Sequence, residues 1–430
     1  MSTETSPTPR TGVATEVNQG GRVPVSALVT NLREYGLVLA LIAIMIFFQF
    51  TTSGTLFKPV NLSNLVQQNS FIIVMALGML LVIVSGHIDL SVGSVAGFIG
   101  AVAANMMVTW QLGIASNPLV VTVLCLALGG LIGAAQGYWV AYHRIPSFIV
   151  TLAGMLVFRG LCQAMLGGGL SIGPLPQGFK ELSSGFIPDI IGPLTLVPPV
   201  VNAAGKTIVG SGVTLHMTSV VLGLLVVAAY AWFGLRSRWV RETRGYQAEP
   251  FAVFAVKTVV ISALALFLVY QFASYKGIPI VLILMAILIG LFIFVTRRMT
   301  IGRRVYAMGG NAKAAQLSGI KTERLTLLVF INMGVLSALG GLIIAARLGQ
   351  AVPQAGLGSE LDVIAAVFIG GASAMGGVGQ VMGAVVGGFI MGVMNNGMSI
   401  MGVNVDWQQV VKGLVLLGAV VFDVYNKNKA

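Results

Sequence analysis

Between residues 36 and 424 the chain repeats one pattern: an apolar run, then a short polar break. A helix crossing a bilayer core of ~30 Å needs about 20 apolar residues. Counting runs of that length predicts about twelve spans, at roughly 36–52, 65–85, 92–109, 118–141, 146–166, 217–235, 251–273, 277–296, 325–346, 362–379, 381–401 and 407–424. The third, tenth and eleventh are rich in glycine, which predicts broken or re-entrant segments there. The fold class expected is all-α, a polytopic transmembrane bundle of about 10–12 spans. Glycines recur every fourth residue at Gly129, Gly133 and Gly137 and again at Gly379, Gly383 and Gly387, which in lipid lets helix backbones approach closely.

Composition agrees with the pattern. Charged residues make up 9% of the 430 residues, and mean hydropathy is +0.92. An ordinary soluble domain carries about a quarter charged residues. The net charge is +12, but the basic residues lie in short loops between apolar runs and form no stripe for nucleic acid. With the N-terminus inside, Arg10, Arg22, Arg33, Arg144, Arg236 to Arg244, Arg297 to Arg324, Lys427 and Lys429 are cytoplasmic. Only Lys58, Lys180, Lys206 and Lys276 fall on the other side. The positive-inside rule therefore puts both termini in the cytoplasm. The expected organisation is a cytoplasmic tail over 1–33, a membrane domain over 34–424 and a short cytoplasmic tail over 425–430. The outer loop 167–216 reads equally as a docking surface or as a connector.

Catalytic chemistry has little to stand on. Cys125 and Cys162 sit inside apolar runs, and His87, His143 and His216 lack metal-ligand spacing. Gly205-Lys206-Thr207 resembles the end of a phosphate loop, but Val200 stands where its first glycine belongs. No enzyme, cofactor or metal is expected. Asp89, Glu360 and Asp362 are the acids within or beside spans, thin support for a proton- or sodium-coupled carrier, which is the competing reading.

Three stretches go beyond hydropathy. Ser85-Gly-His-Ile-Asp89-Leu-Ser91-Val-Gly93 interrupts an apolar region, and Asp89 reads as a helix N-cap or as part of a substrate path. Arg144-Ile-Pro146-Ser-Phe-Ile starts a helix at Pro146, with Arg159 inside the span. Gly302-Arg-Arg-Val-Tyr306-Ala-Met-Gly309-Gly310-Asn311-Ala-Lys313-Ala-Ala-Gln-Leu317-Ser318-Gly319 predicts a short surface helix over 312–317, capped by Asn311 and ended by Gly319.

In this order, with Gly-Gly-Leu-Ile at 340–343, Glu-Leu-Asp-Val-Ile-Ala-Ala-Val-Phe-Ile-Gly-Gly at 360–371 and Asn395-Asn396-Gly397, these stretches resemble the ribose/xylose-type sugar permeases of ABC importers. The resemblance runs from about 60 to 424. Its longer layout, with an extra helix pair at about 251–296, is similar to the xylose or multiple-monosaccharide subgroup. It implies that 309–319 (Gly309, Gly310, Asn311, Lys313, Leu317, Ser318, Gly319) couples to a separate cytosolic ABC ATPase. The implied partners are a periplasmic or lipid-anchored sugar-binding protein and a second permease copy, in an inner membrane. The halves at 65–109 and 325–372 enter from opposite sides, as inverted repeats do. Gln68, Asn69, Asp89, Ser91, Asn332 and Asn395 are the candidates for a polar path.

Overall fold

The computed structural model describes residues 25–111, 113–197, 213–246 and 250–427. The expected tails up to residue 24 and after residue 427, and the Gly205-Lys206-Thr207 stretch, lie outside them. Among the described residues fifteen α-helices follow one another, with a single two-stranded antiparallel sheet. They are α1 (Val25–Thr51), α2 (Pro59–Val84), α3 (Val92–Ala104), α4 (Pro118–His143), α5 (Ser147–Met165), α6 (Gln177–Ser184), β1 (Pro193–Val197), β2 (Val213–His216), α7 (Met217–Thr243), α8 (Phe251–Ala273) and α9 (Ile280–Arg297). Then come α10 (Thr300–Gly310), α11 (Ala312–Leu317), α12 (Thr322–Leu348), α13 (Ser359–Ile369), α14 (Val381–Ile400) and α15 (Val405–Lys427). Among the described residues nine helices are long and apolar enough to cross a membrane, so this is a multi-pass membrane protein.

Each of the twelve apolar runs contains a helix, and two of the three glycine-rich runs are broken, as expected. The third run holds α3 and then loosens into a π-helical turn, Asn105–Trp110. The tenth holds only the 11-residue α13. Its second half is a loop in which Gly371, Gly376 and Gly377 take positive φ of 83°, 81° and 77°, a conformation that costs other residues about 1–2 kcal/mol. The eleventh run, also glycine-rich, is the continuous α14.

The core is built around α2 and α12, whose central turns are almost wholly buried. They lie antiparallel: the C-terminal end of α2 and the N-terminal turns of α12 line the same cavity. Each is followed by a loop and a short helix, and the packing is exchanged between the two units. Helix α3 packs on α12 and α13 on α2; likewise α4 packs on α12 and α14 on α2. Close approach of α4 to α12 depends on the glycine stripe. A Cβ on Gly129 would strike the Gly334 carbonyl, and one on Gly133 the Phe330 carbonyl.

The expected extra pair, α8 and α9, separates in space. Helix α9 buries Val281, Met285 and Phe292 in the main core. Helix α8 buries only Gln271, Phe272 and Ala273 at its end and packs mainly on α7. The peripheral hairpin is thus α7–α8.

The described part of the long loop before α7 is folded. Leu175 and Phe179 are buried with α12 residues such as Leu342 and Ala346, and Ile172 pairs with Ala351. At the α7 end, Asp189 accepts hydrogen bonds from the Thr218 N–H (3.1 Å), the Thr218 hydroxyl (2.8 Å) and the Met217 N–H (3.2 Å).

Candidate functional site

Two regions gather the predicted residues. The first lies at the arginine-rich end of the bundle. Helix α10 is amphipathic, burying Gly302, Val305 and Met308. It stops at Asn311, whose extended backbone (φ −158°) frees the side chain to accept from the Ala314 N–H at 2.9 Å. That is the N-cap of α11, a lone helical turn and a half. At its other end the Gly319 N–H donates to Gln316 O (3.0 Å) and the Ile320 N–H to Ala315 O (3.1 Å), with Gly319 at φ +82°. This pair of crossed bonds is a Schellman closure, which satisfies the terminal carbonyls.

Both caps are local, so α11 keeps its shape while little of it is buried. Ala315 faces the core and Leu317 is 81% exposed; Lys313, Ser318 and Gly319 are exposed as well. Beside α11 opens a cavity of about 770 Å³ between the ends of α2, α4 and α12, with His87, Arg144, Lys313 and Glu323 on its wall.

Gly309 anchors this unit to the bundle. A Cβ there would collide with the Val84 carbonyl. The same carbonyl accepts the Gly377 N–H at 2.8 Å, and the Tyr306 hydroxyl donates to Gly379 O at 2.8 Å. The end of α2, the end of α10 and the glycine loop therefore meet at one point. A Cβ on Gly310, next in sequence, would meet nothing.

The second region is where the short helices begin. Gly93 in the first turn of α3 abuts Gly356, Ser359 and Glu360 at the start of α13, and Gly97 abuts the Ala355 carbonyl. Two helix N-termini thus converge inside the bundle, where their dipoles favour negative charge or acceptor oxygens. Glu360 is half-buried there, and its Oε2 has no hydrogen-bond partner. Arg159, exposed on α5, interacts with it electrostatically.

Asp89 is not the N-cap expected of it. Ser91 holds that position, and Asp89 Oδ1 accepts from the Ser91 N–H (2.8 Å) and hydroxyl (2.7 Å), closing a turn just before the helix. The N-cap side chain is engaged elsewhere: the Ser91 hydroxyl also lies 3.0 Å from Gln136 Oε1 on α4.

The path candidates do not form one group. Asp89 and Ser91 are buried together near the end of α2. Asn69 is buried, donates to its own Leu65 O (2.7 Å) and packs under Gly392, an arrangement that serves packing. Gln68 is exposed and lies 3.5 Å from Asn396, which pairs reciprocally with Asn61 (2.9 and 3.2 Å). Asn395 donates to Asp362 (3.2 Å), and Lys412 on α15 closes an ion pair with the same Asp362 oxygen at 3.0 Å. Asn332 is half-buried with its amide nitrogen unpaired.

Sequence reading missed the partners of Gln136, Asn61, Asn396 and Lys412. For Lys412 a signal existed, since a lysine within an apolar run needs an acid on another helix. For the three amides there was none, because a single Asn or Gln in a span has no visible partner until the helices are packed.

Comparison with known proteins agrees with this architecture. Residues 61–256 and 212–420 match the family described as "Branched-chain amino acid transport system / permease component". The chain is 39% identical over 402 residues to the xylose transport system permease protein XylH of Escherichia coli K12, covering 93% of this chain and 94% of the relative. Its Haemophilus influenzae namesake is also 39% identical, over 400 residues, covering 93% and 98%. The ribose import permease protein RbsC of Escherichia coli K12 is 32% identical over 411 residues, covering 96% and 99%. No solved structure matches. Matched along nearly its whole length, with the exchanged helix packing and converging short helices described above, the chain belongs to this family of transport-system permease components.

Proposed function

We propose that the chain is the membrane permease of an ATP-driven sugar importer, passing xylose or a related monosaccharide handed over by a periplasmic or lipid-anchored binding protein. Two copies form the path. ATP is hydrolysed on a separate cytosolic subunit, and both termini are cytoplasmic. The observation that carries this reading is α11: a doubly capped, exposed helical turn fastened to the core at Gly309, on the arginine-rich face. An ATPase gripping α11 moves α10 and, through Val84, the end of α2.

The antiparallel α2–α3 and α12–α13 units serve as inverted repeats. Their converging N-termini, with Glu360 and Ser359 between them, offer dipoles and acceptors to sugar hydroxyls. A neutral sugar needs no strong ionic site, and the binding protein performs tight capture. The folded loop with α6 is its docking surface.

The test is co-purification and uptake in cells carrying the ATPase and binding protein. Lys313→Glu and Gly310→Trp should lower ATPase recovery and xylose uptake by about tenfold, with normal membrane insertion. Uptake indifferent to both changes, or accumulation driven by a proton or sodium gradient without the ATPase, would reject the assignment. Topology is checked with Lys313→Cys, since Cys125 and Cys162 are both buried. Labelling of that residue from outside intact cells would sink the reading.

A further inference from the structure

At the arginine-rich end lies a second cavity, of about 390 Å³, between the last turn of α9, α10 and the first residues of α14. Its walls differ in character. Arg297, Arg303 and Thr296 supply polar groups, while Ile293, Val381 and Met382 supply apolar surface. No carboxylate lines it, and among the described residues neither arginine forms a salt bridge. Arg303 spends one N–H on the Arg298 carbonyl (3.2 Å) and keeps the rest of its fork. Arg297 is the last residue of the apolar α9, so the cavity straddles the level where hydrocarbon gives way to water.

We propose that this cavity holds the headgroup of an anionic phospholipid. Two guanidinium forks meet the phosphate, as planar N–H donors do well. The glycerol ester region lies along Ile293 and Met382, and the acyl chains continue down the outside of α9. A soluble anion would use the arginines but leave the apolar wall wet. A zwitterionic lipid would bring a cation that finds no acid here. The Tyr306–Gly379 hydrogen bond lines the same cavity, so an occupant would brace α10 against the glycine loop three residues before Gly309. The binding itself does not depend on the transport reading.

The experiment is native mass spectrometry of the full chain released from detergent, titrated separately with phosphatidylglycerol, phosphatidylcholine and glycerol phosphate. Phosphatidylglycerol should be retained, and Arg297→Gln with Arg303→Gln should lower its retention by about tenfold. Met382→Trp, which occupies the space without removing charge, should do the same. It guards against a double variant that fails to fold. Arg236→Gln with Arg241→Gln, an equal loss of charge on the α7 end, should leave retention unchanged. Equal retention of phosphatidylcholine, full retention in the two cavity variants, equal loss in the α7 variant, or displacement by glycerol phosphate alone would each overturn the proposal.

Discussion

Gly309 and Gly310 are adjacent, yet a methyl group added to one meets the Val84 carbonyl and added to the other meets nothing. Overpacking against backbone costs about 1–3 kcal/mol. Gly309→Ala should therefore lower the thermal unfolding midpoint of the purified protein by several degrees. Gly310→Ala should leave the midpoint unchanged or raise it slightly, since alanine is the better helix former. Equal shifts for the two would mean that the packing at Val84 is looser than described. Asn311 is a similar local case: its cap is worth about 1 kcal/mol to α11. The Asn311 cap was readable in advance because cap and turn chemistry acts within four positions. The surroundings of Glu360 and Gln136 were not, because they are assembled from distant segments, and Lys412 signalled only that it needs an acid on another helix.

At the scale of elements, hydropathy located every apolar run but could not say what each run did. It averaged across Gly370 to Gly379, and it was the glycine content of that run that pointed to the break after α13. It also could not separate α8 from α9, which are both apolar; only the burial of Val281, Met285 and Phe292 distinguishes them. The outer loop gave a composition and no shape. Its junction with α7 is pH-sensitive by construction. Partial desolvation opposes the charged form of Asp189, but the Thr218 hydrogen bonds and His216 outweigh it and hold its carboxyl below the ordinary aspartate value of 3.8. A carboxyl depressed on folding adds stability above its unfolded value, and that stability is lost as pH falls through the folded value. Hydrogen exchange at the Thr218 N–H, corrected for intrinsic rate, should therefore speed up as pH drops below about 4. Asp189→Asn should exchange fast at every pH. A wild-type rate that does not change with acid would contradict the role given to this carboxyl.

Across the molecule, the Asp362–Lys412 pair ties the short α13 to α15 through side chains 10% and 24% exposed, with Asn395 joining from α14. Removing one partner strands a charge among apolar helices. Lys412→Met alone should destabilise the purified protein by about 2 kcal/mol, whereas Lys412→Met with Asp362→Asn should recover much of that loss. Additive losses in the thermal midpoint would show that the two groups do not depend on each other.

The meeting of three chain segments at the Val84 carbonyl has a mechanical consequence. A joint of glycines seated on backbone has no side chain to deform, so it transmits displacement without slack. Whatever pulls on α11 must either shift α2 and the glycine loop with it or break the Gly377 bond outright. The linkage therefore passes a pull on to both segments rather than absorbing it in side chains.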